Sequence, residues 1–176
     1  MNVNTMISTW VTEYELMNII RLKPILRLFL FIIFSVLLYS CGSGIVFDKN
    51  KTITGEKWNR EDKITFDVKI EDTLLPTDFF LNVRNTTDYR FANLYLFINT
   101  IFPDKKFARD TIECILSTPE GKWLGKGISR LKESHILLKK GIRFPKKGIY
   151  RFEIEQGMRK EQLEGIADIG IRIQKH

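Results

Sequence analysis

Glu153 and Glu155 are the two carboxylates whose spacing could serve catalysis, since they lie two positions apart in the stretch IYRFEIE. On a β-strand such residues share one face and are about 6.6–6.8 Å apart. Inverting glycosidases separate their acid and base carboxyl groups by a similar distance. The residues also alternate with Tyr150, Phe152 and Ile154, which is typical of a solvated strand face. We therefore expect a surface strand here and no catalytic pair.

Other catalytic patterns are absent from the sequence. The two histidines, His135 and His176, have no carboxylate or nucleophile at a motif spacing. No nucleophile elbow, zinc-binding HExxH, redox CxxC or phosphate-binding Walker loop occurs. The glycines of GKWLGKG, residues 121–127, predict a bulge or twisted strand where backbones approach closely. The sequence therefore predicts no enzyme, no catalytic residue, no metal site and no cofactor.

Cys41 offers a different chemistry, the covalent attachment of lipid. The apolar run LFLFIIFSVLL, residues 28–38, is shorter than the roughly 20 residues of a membrane-spanning helix. Three basic residues precede it between positions 21 and 27, the order of a secretory signal peptide. The tetrapeptide LYSC, residues 38–41, resembles the bacterial lipobox, in which the cysteine sulfur takes a diacylglycerol. The alternative, a buried helix ending at a core cysteine, does not explain the basic residues.

These signals divide the chain into four parts. Residues 1–16 lack leader character and are interpreted as an upstream start-site extension, because Met17 opens a leader of ordinary length. Residues 17–40 form the signal peptide, 41–51 a lipidated tether, and 52–176 a single domain. With Cys41 acylated, Cys114 has no disulfide partner and is expected to pack as a small core residue. A disulfide between the two follows only if the leader prediction is wrong.

Hydrophobic alternation with period two predicts the fold. In KITFDVKI, apolar and polar residues alternate strictly, and DFFLNVR, TIECILS, IYRFEIE and DIGIRIQ keep an apolar residue at every second position. NLYLFINTIF is apolar on both faces, which predicts a central strand covered on both sides. Turn sequences such as FPDKK and TPEGK separate the strands. The pattern predicts an all-β, single antiparallel β-sandwich, with one short helix at residues 158–164.

The charge balance points to anionic partners. Without residues 1–40 the chain has 136 residues and a formal charge of +6, from 25 basic and 19 acidic residues. The strongest basic cluster comprises Lys139, Lys140, Arg143, Lys146 and Lys147. It could contact lipid phosphate, anionic glycan or an acidic partner, or it could protect an edge strand from sheet-to-sheet association. Trp58 and Trp123 could stack on sugars, although core anchoring is the more common role. Because the signal peptide predicts an exported protein, we expect no nucleic-acid partner despite the positive charge.

Several segments together resemble a known family. They are RNTTDYRFANLYLFINTIFPD (84–104), DTIECIL (110–116), GKWLGKG (121–127) and FEIEQGMRKEQLEGIADIGIRI (152–173). In order and spacing they are similar to the gliding-motility lipoprotein family GldH of the Bacteroidetes. The resemblance implies an acylated envelope protein required for gliding and linked to the type IX secretion machinery. It implies protein partners from that machinery, no catalytic activity, and no particular ligand.

Two functions therefore remain open from the sequence. One is a lipid-anchored component with envelope protein partners. The other is a periplasmic glycan-binding module. Lipoproteins on the cell surface of the Bacteroidetes resemble one another in an acidic cluster just after the acylated cysteine. The residues after Cys41, GSGIVF, lack such a cluster, and the first acidic residue is Asp48. This indicates the periplasmic face, and we expect the outer membrane.

Overall fold

The computed structural model describes Leu28, Phe29, Phe31 and residues 44–176. Leu28, Phe29 and Phe31 have helical backbone. None of the described residues belongs to a helix with the length and apolarity that a membrane crossing requires. Cys41 and the other predicted signal-peptide residues lie outside the described part, so their assignment stays a prediction. Residues 44–176 form a compact unit of their own.

This unit consists of ten strands and one short 3₁₀ turn at Thr54–Glu56. The strands are β1 (Ile45–Thr52), β2 (Lys57–Asn59), β3 (Ile64–Ile70), β4 (Thr77–Thr86), β5 (Asn93–Ile101), β6 (Phe107–Ile115), β7 (Leu131–Ile142), β8 (Gly148–Gln156), β9 (Gln162–Glu164) and β10 (Ile166–Lys175). A first sheet has the order β1-β10-β4-β7 and a second sheet the order β3-β8-β5-β6, while β2 and β9 form a separate ribbon. All the pairings are antiparallel. The predicted antiparallel β-sandwich is confirmed.

The core lies between the two sheets and follows the predicted alternation. In β3, the four apolar positions Ile64, Phe66, Val68 and Ile70 are all buried. In β4 the inward residues are Phe79, Leu81 and Val83, as expected. In β10 they are Ile169, Ile171 and Ile173, each fully buried. A fully buried aliphatic side chain contributes roughly 1.5–3 kcal/mol, so these rows supply much of the driving force for folding.

Strand β5 is central, as predicted, but only one of its faces is covered. It pairs with β6 on one side and β8 on the other. Leu94, Leu96 and Ile98 are buried, whereas Tyr95 remains 39% exposed. The ring of Phe97 is partly exposed and carries the Arg109 guanidinium 4.3 Å from its centroid. The prediction that a second layer covers the other face of β5 was therefore wrong. The outward aromatic residues on that face pack against neighbouring side chains of the same sheet.

The helix predicted at residues 158–164 is also wrong. The segment bends and then forms β9, which pairs with β2 so that Trp58 lies opposite Leu163. Gln156 fixes the bend: its Nε2 donates to the Lys160 carbonyl at 2.8 Å, and its Oε1 accepts the Met158 N–H at 2.9 Å. These side-chain bonds replace the backbone bonds that a helical turn would make.

Two further features are the start of the first sheet, which lies earlier in the chain than expected, and the environment of Cys114. The sheet begins at Ile45, inside the stretch expected to be a tether, because β1 pairs along its length with β10. Cys114 is fully buried, and burial raises the pKa of its thiol to about 12. The thiol therefore stays protonated and packs as an apolar core group, as predicted.

Candidate functional site

The predicted basic cluster lies at one end of the sandwich, along the edge strand β7 and the turn that follows it. Lys139 pairs with Asp110 at 3.1 Å, and Lys146 pairs with Asp104 at 2.6 Å. Arg143 donates through Nε to the Leu74 carbonyl at 3.0 Å, and Lys140 and Lys147 are exposed. The edge location agrees with the edge-protection interpretation. A role in binding stays a prediction.

The two tryptophans of the sandwich differ in exposure. Trp58 is 1% exposed and donates its indole N–H to the Asp62 carbonyl at 2.8 Å. It is a core anchor and offers no face to a sugar. Trp123 is partly buried, packs against the core and bridges to Ser117. The close approach predicted for its segment occurs at Gly127, where a Cβ would lie 2.3 Å from the Leu131 carbonyl oxygen.

Glu153 and Glu155 share a face, as the alternation predicts, but they are less solvated than expected. Their side chains are 22% and 15% exposed. Lys63 lies 3.0 Å from Glu155, which also accepts bonds from Asn99 at 2.8 Å and Arg109 at 3.3 Å. Side chains from β5 and β6 therefore hold the Glu155 carboxylate. The two partly buried glutamates belong to a structural network of ion pairs.

A more ordered polar arrangement lies on the outward face of the first sheet. The strand register places polar side chains in rows that cross all four strands. One row consists of Asn50, Gly170, Asn82 and His135, and the next of Thr52, Asp168, Arg84 and Glu133. We call the whole set the polar belt; it comprises Asp48, Asn50, Thr52, Asn82, Arg84, Glu133, His135, Asp168 and Arg172.

Asp168 is the anionic centre of the polar belt. It is only 4% exposed although it points away from the core. Its Oδ1 accepts the Thr52 hydroxyl at 2.6 Å and its Oδ2 accepts Arg84 Nε at 2.5 Å. The two bonds occupy both carboxylate oxygens and offset the desolvation of the charge. The Arg84 side chain is 43% exposed, so its remaining donors can reach a partner.

Asn82 is the second buried polar residue of the belt, at 3% exposure. Its amide nitrogen donates to Asp48 at 3.2 Å and to Asn50 at 3.0 Å. Its carbonyl oxygen lies 2.7 Å from His135 Nδ1, and since that oxygen can only accept, Nδ1 carries the proton. The other ring nitrogen of His135 faces Glu133 at 3.5 Å.

Gly170 makes room for this arrangement. A Cβ at this position would lie 1.7 Å from Asn50 Oδ1 and 2.7 Å from the Lys49 carbonyl oxygen. The absence of a side chain lets Asn50 reach across β10 to Asn82. Arg172, one row away on the same strand, lies 3.6 Å from Asp48. The belt is thus a preorganised hydrogen-bonding surface with exposed Arg, His and Glu groups.

The sequence interpretation missed this site. Its residues occupy the polar positions that alternate with buried ones, such as Asp168 and Arg172 around Ile169 and Ile171, and they resemble ordinary solvated positions. The one available signal was Arg84-Asn85, a pair within the family-like segments that carried no assigned role. Within the described residues, no three His, Cys, Asp or Glu side chains are placed to hold a metal ion.

An antiparallel β-sandwich that displays an ordered polar sheet face is the class of protein that these features define. The chain belongs to the GldH lipoprotein family, whose model matches residues 45–173. This confirms the resemblance found in the sequence and makes the chain a membrane-anchored lipoprotein of the cell envelope.

Two curated relatives are similar over most of their length. A gliding motility lipoprotein GldH homolog of Christiangramia forsetii is 35% identical over 161 residues, which cover 88% of this chain and 98% of that protein. The gliding motility lipoprotein GldH of Flavobacterium johnsoniae is 34% identical over 148 residues, covering 80% and 91%. Among solved structures, the infectious bursal disease virus VP2 subviral particle aligns with a TM-score of 0.33 and 17% identity, covering 73% of this chain and 33% of that one.

Proposed function

We propose that this lipoprotein is a non-catalytic component required for gliding motility and linked to the type IX secretion machinery. The polar belt would be the surface that recognises an envelope protein partner. The observation that supports this is the burial of Asn82 and Asp168 within an outward-facing network. Side chains already fixed by hydrogen bonds lose little conformational entropy on binding, which favours recognition.

The pairing within the belt supports a non-catalytic role. Both Asp168 oxygens already accept hydrogen bonds, so this carboxylate is poorly placed to take a proton from a substrate. His135 donates from Nδ1 to Asn82 and faces Glu133 through its other nitrogen. A general base also needs a proton-bearing nucleophile to activate, and the group that faces His135 Nε2 is the Glu133 carboxylate, which has no proton to give up.

We further propose that the basic end of the sandwich faces the periplasmic leaflet of the outer membrane. Gly44 lies at this end, where its carbonyl accepts the Lys175 N–H at 2.6 Å. Gly44 follows Cys41 by three positions, so a lipid on Cys41 would start within about 10 Å of this end. Exposed Lys140 and Lys147 also lie there, and cations near an anionic leaflet contribute roughly 1 kcal/mol each.

Replacing Cys41 with alanine tests the anchor and the function together. In cells fed an alkyne fatty acid, the wild-type protein should carry the tag and sediment with membranes. The Cys41→Ala protein should lose the tag and fail to restore spreading to a strain lacking the gene. Cys114→Ala is the matched control and should keep both properties, because that thiol is buried. Equal tagging of the two variants would contradict the assignment of Cys41.

Protease access tests the proposed side of the membrane. Proteinase K added to intact cells should leave the protein whole, because the outer membrane would shield it. Permeabilising that membrane should then allow cleavage in exposed loops such as residues 126–130, where Ile128 is fully exposed. Digestion in intact cells would place the protein on the surface and contradict the proposal.

A periplasmic glycan-binding module is the second candidate function. Fixed amide, carboxylate and guanidinium groups on an open sheet face suit sugar hydroxyls as well as protein. The burial of Trp58 removes one of the two aromatic platforms considered from the sequence. Retention of the full-length protein by purified peptidoglycan, with loss of retention in a His135→Ala variant, would favour this function over protein docking.

A further inference from the structure

A cavity of about 260 Å³ opens at one edge of the sandwich. It lies where β6 and β7, edge strands of the second and the first sheet, flank the interior without pairing. Five aromatic rings contribute to its walls, from Phe79, Phe102, Phe144, Tyr150 and Phe152. Ile98, Ile112 and Leu138 add aliphatic surface. The cavity is therefore a gap in the hydrophobic core that remains accessible from the edge.

Charged residues contribute to the wall of this otherwise apolar cavity. Lys139 and Arg143 take part in its lining together with Asp110. Asp110 pairs with Lys139 at 3.1 Å, whereas Arg143 bonds only a neutral carbonyl and makes no ion pair among the described residues. Exposed Lys147 follows in the same turn. The local charge excess is therefore positive and suits an anionic group.

Size and chemistry together restrict the occupant. The mostly apolar walls favour an apolar molecule, because water finds few hydrogen-bond partners along them. The volume is slightly below the usual range for small-molecule sites, about 300–1,000 Å³, which is enough for one short acyl chain or the end of a longer one and too small for two. An apolar interior with a cationic rim matches an amphiphile that has one acyl tail and one anionic head.

We propose that this cavity binds a single acyl chain whose carboxylate or phosphate head contacts Arg143. The cavity lies at the same end of the sandwich as Gly44, because Thr77, at the start of β4, pairs with both Lys175 and Ile142. The site does not depend on the polar belt or on the proposed role in gliding. It assigns a function to Arg143 beyond protection of the sheet edge.

Photocrosslinking on the full-length protein in phosphatidylcholine nanodiscs tests the site. One arm uses a diazirine-bearing fatty acid and the other a diazirine-bearing phosphatidylglycerol, which distinguishes a free acid from a membrane lipid. Adducts mapped by mass spectrometry should fall on peptides containing Ile112, Leu138 or Phe144. Crosslinks in either arm support the proposal and identify the source, and the absence of cavity crosslinks in both would overturn it.

Two variants make the test specific. Ala108→Trp fills the cavity and should abolish its labelling, while Thr111→Trp, on the exposed face of the same strand, should not. Arg143→Gln should weaken labelling by the anionic probes about two- to fivefold, the effect of one exposed ion pair, and leave a neutral diazirine alcohol unaffected. This second variant keeps the test decisive if Ala108→Trp fails to fold. Unchanged labelling in a folded Ala108→Trp protein, or equal effects of Arg143→Gln on both probe types, would overturn the proposal.

Discussion

Replacing Leu96 with alanine is expected to lower the free energy of unfolding of the sandwich by about 2–5 kcal/mol. Leu96 is fully buried at the middle of β5, and strands on both sides hold β5 in place. The surrounding side chains can therefore collapse only partly into the space that the substitution leaves. The cavity adds its own cost to the lost transfer free energy of the side chain.

Phe97 provides the comparison on the opposite face of the same strand. Its ring is partly exposed and its extra stabilisation comes from Arg109, a contact worth about 0.5–1 kcal/mol at an exposed site. We therefore expect Phe97→Ala to cost clearly less than Leu96→Ala. Urea unfolding of residues 42–176, followed by far-ultraviolet circular dichroism, measures both. Lys69→Ala should stay within about 0.5 kcal/mol. Equal costs for Leu96 and Phe97 would contradict the assigned faces.

Alternation identified the strands that bury one full face. In β3, β4 and β10, every second residue packs into the core, so their residue types report the sheet directly. Strand β1 lacks this signal, since seven of its eight residues are exposed and its backbone pairing with β10 holds it in the sheet. Strand β7 buries no residue fully either, although Ile136 and Leu138 pack partly against the core. Both strands are held in the sheet largely by backbone hydrogen bonds, which are independent of side-chain type and leave no hydrophobic periodicity, whereas the edge strand β3 still buries one full apolar face.

The missed features depend on contacts between distant residues. Gln156 shapes the segment that resembles a helix, and its partners are set by how that segment packs on β2. The polar belt depends on register, which brings Asn50 within 3.0 Å of Asn82 across 32 positions. A shift of one residue in either strand would point these side chains into the core. The register depends on how two strands pair and cannot be predicted from either strand alone. The sequence therefore shows which polar residues are present but not that they form a belt.

Replacing Arg84 with alanine is expected to destabilise the protein by about 2–3 kcal/mol, more than replacing its partner Asp168. The substitution leaves a carboxylate that is 4% exposed with only the Thr52 hydroxyl as a side-chain partner. Breaking a fully buried ion pair in this way costs about 3–5 kcal/mol, and the 43% exposure of Arg84 reduces that figure through solvent screening. Asp168→Ala instead leaves a guanidinium that can rotate into water, so we expect about 1–2 kcal/mol.

The double variant Arg84→Ala/Asp168→Ala separates this explanation from a simple loss of contacts. If the cost of Arg84→Ala comes from an uncompensated buried charge, removing that charge as well should make the double variant more stable than Arg84→Ala alone. Urea unfolding at neutral pH and low salt measures all four proteins of the cycle. A double variant that is less stable than both single variants would mean that the pair acts through packing. If spreading is lost in the double variant but kept in Asp168→Ala, the loss is due to the missing guanidinium, the donor that the proposed recognition by the belt requires.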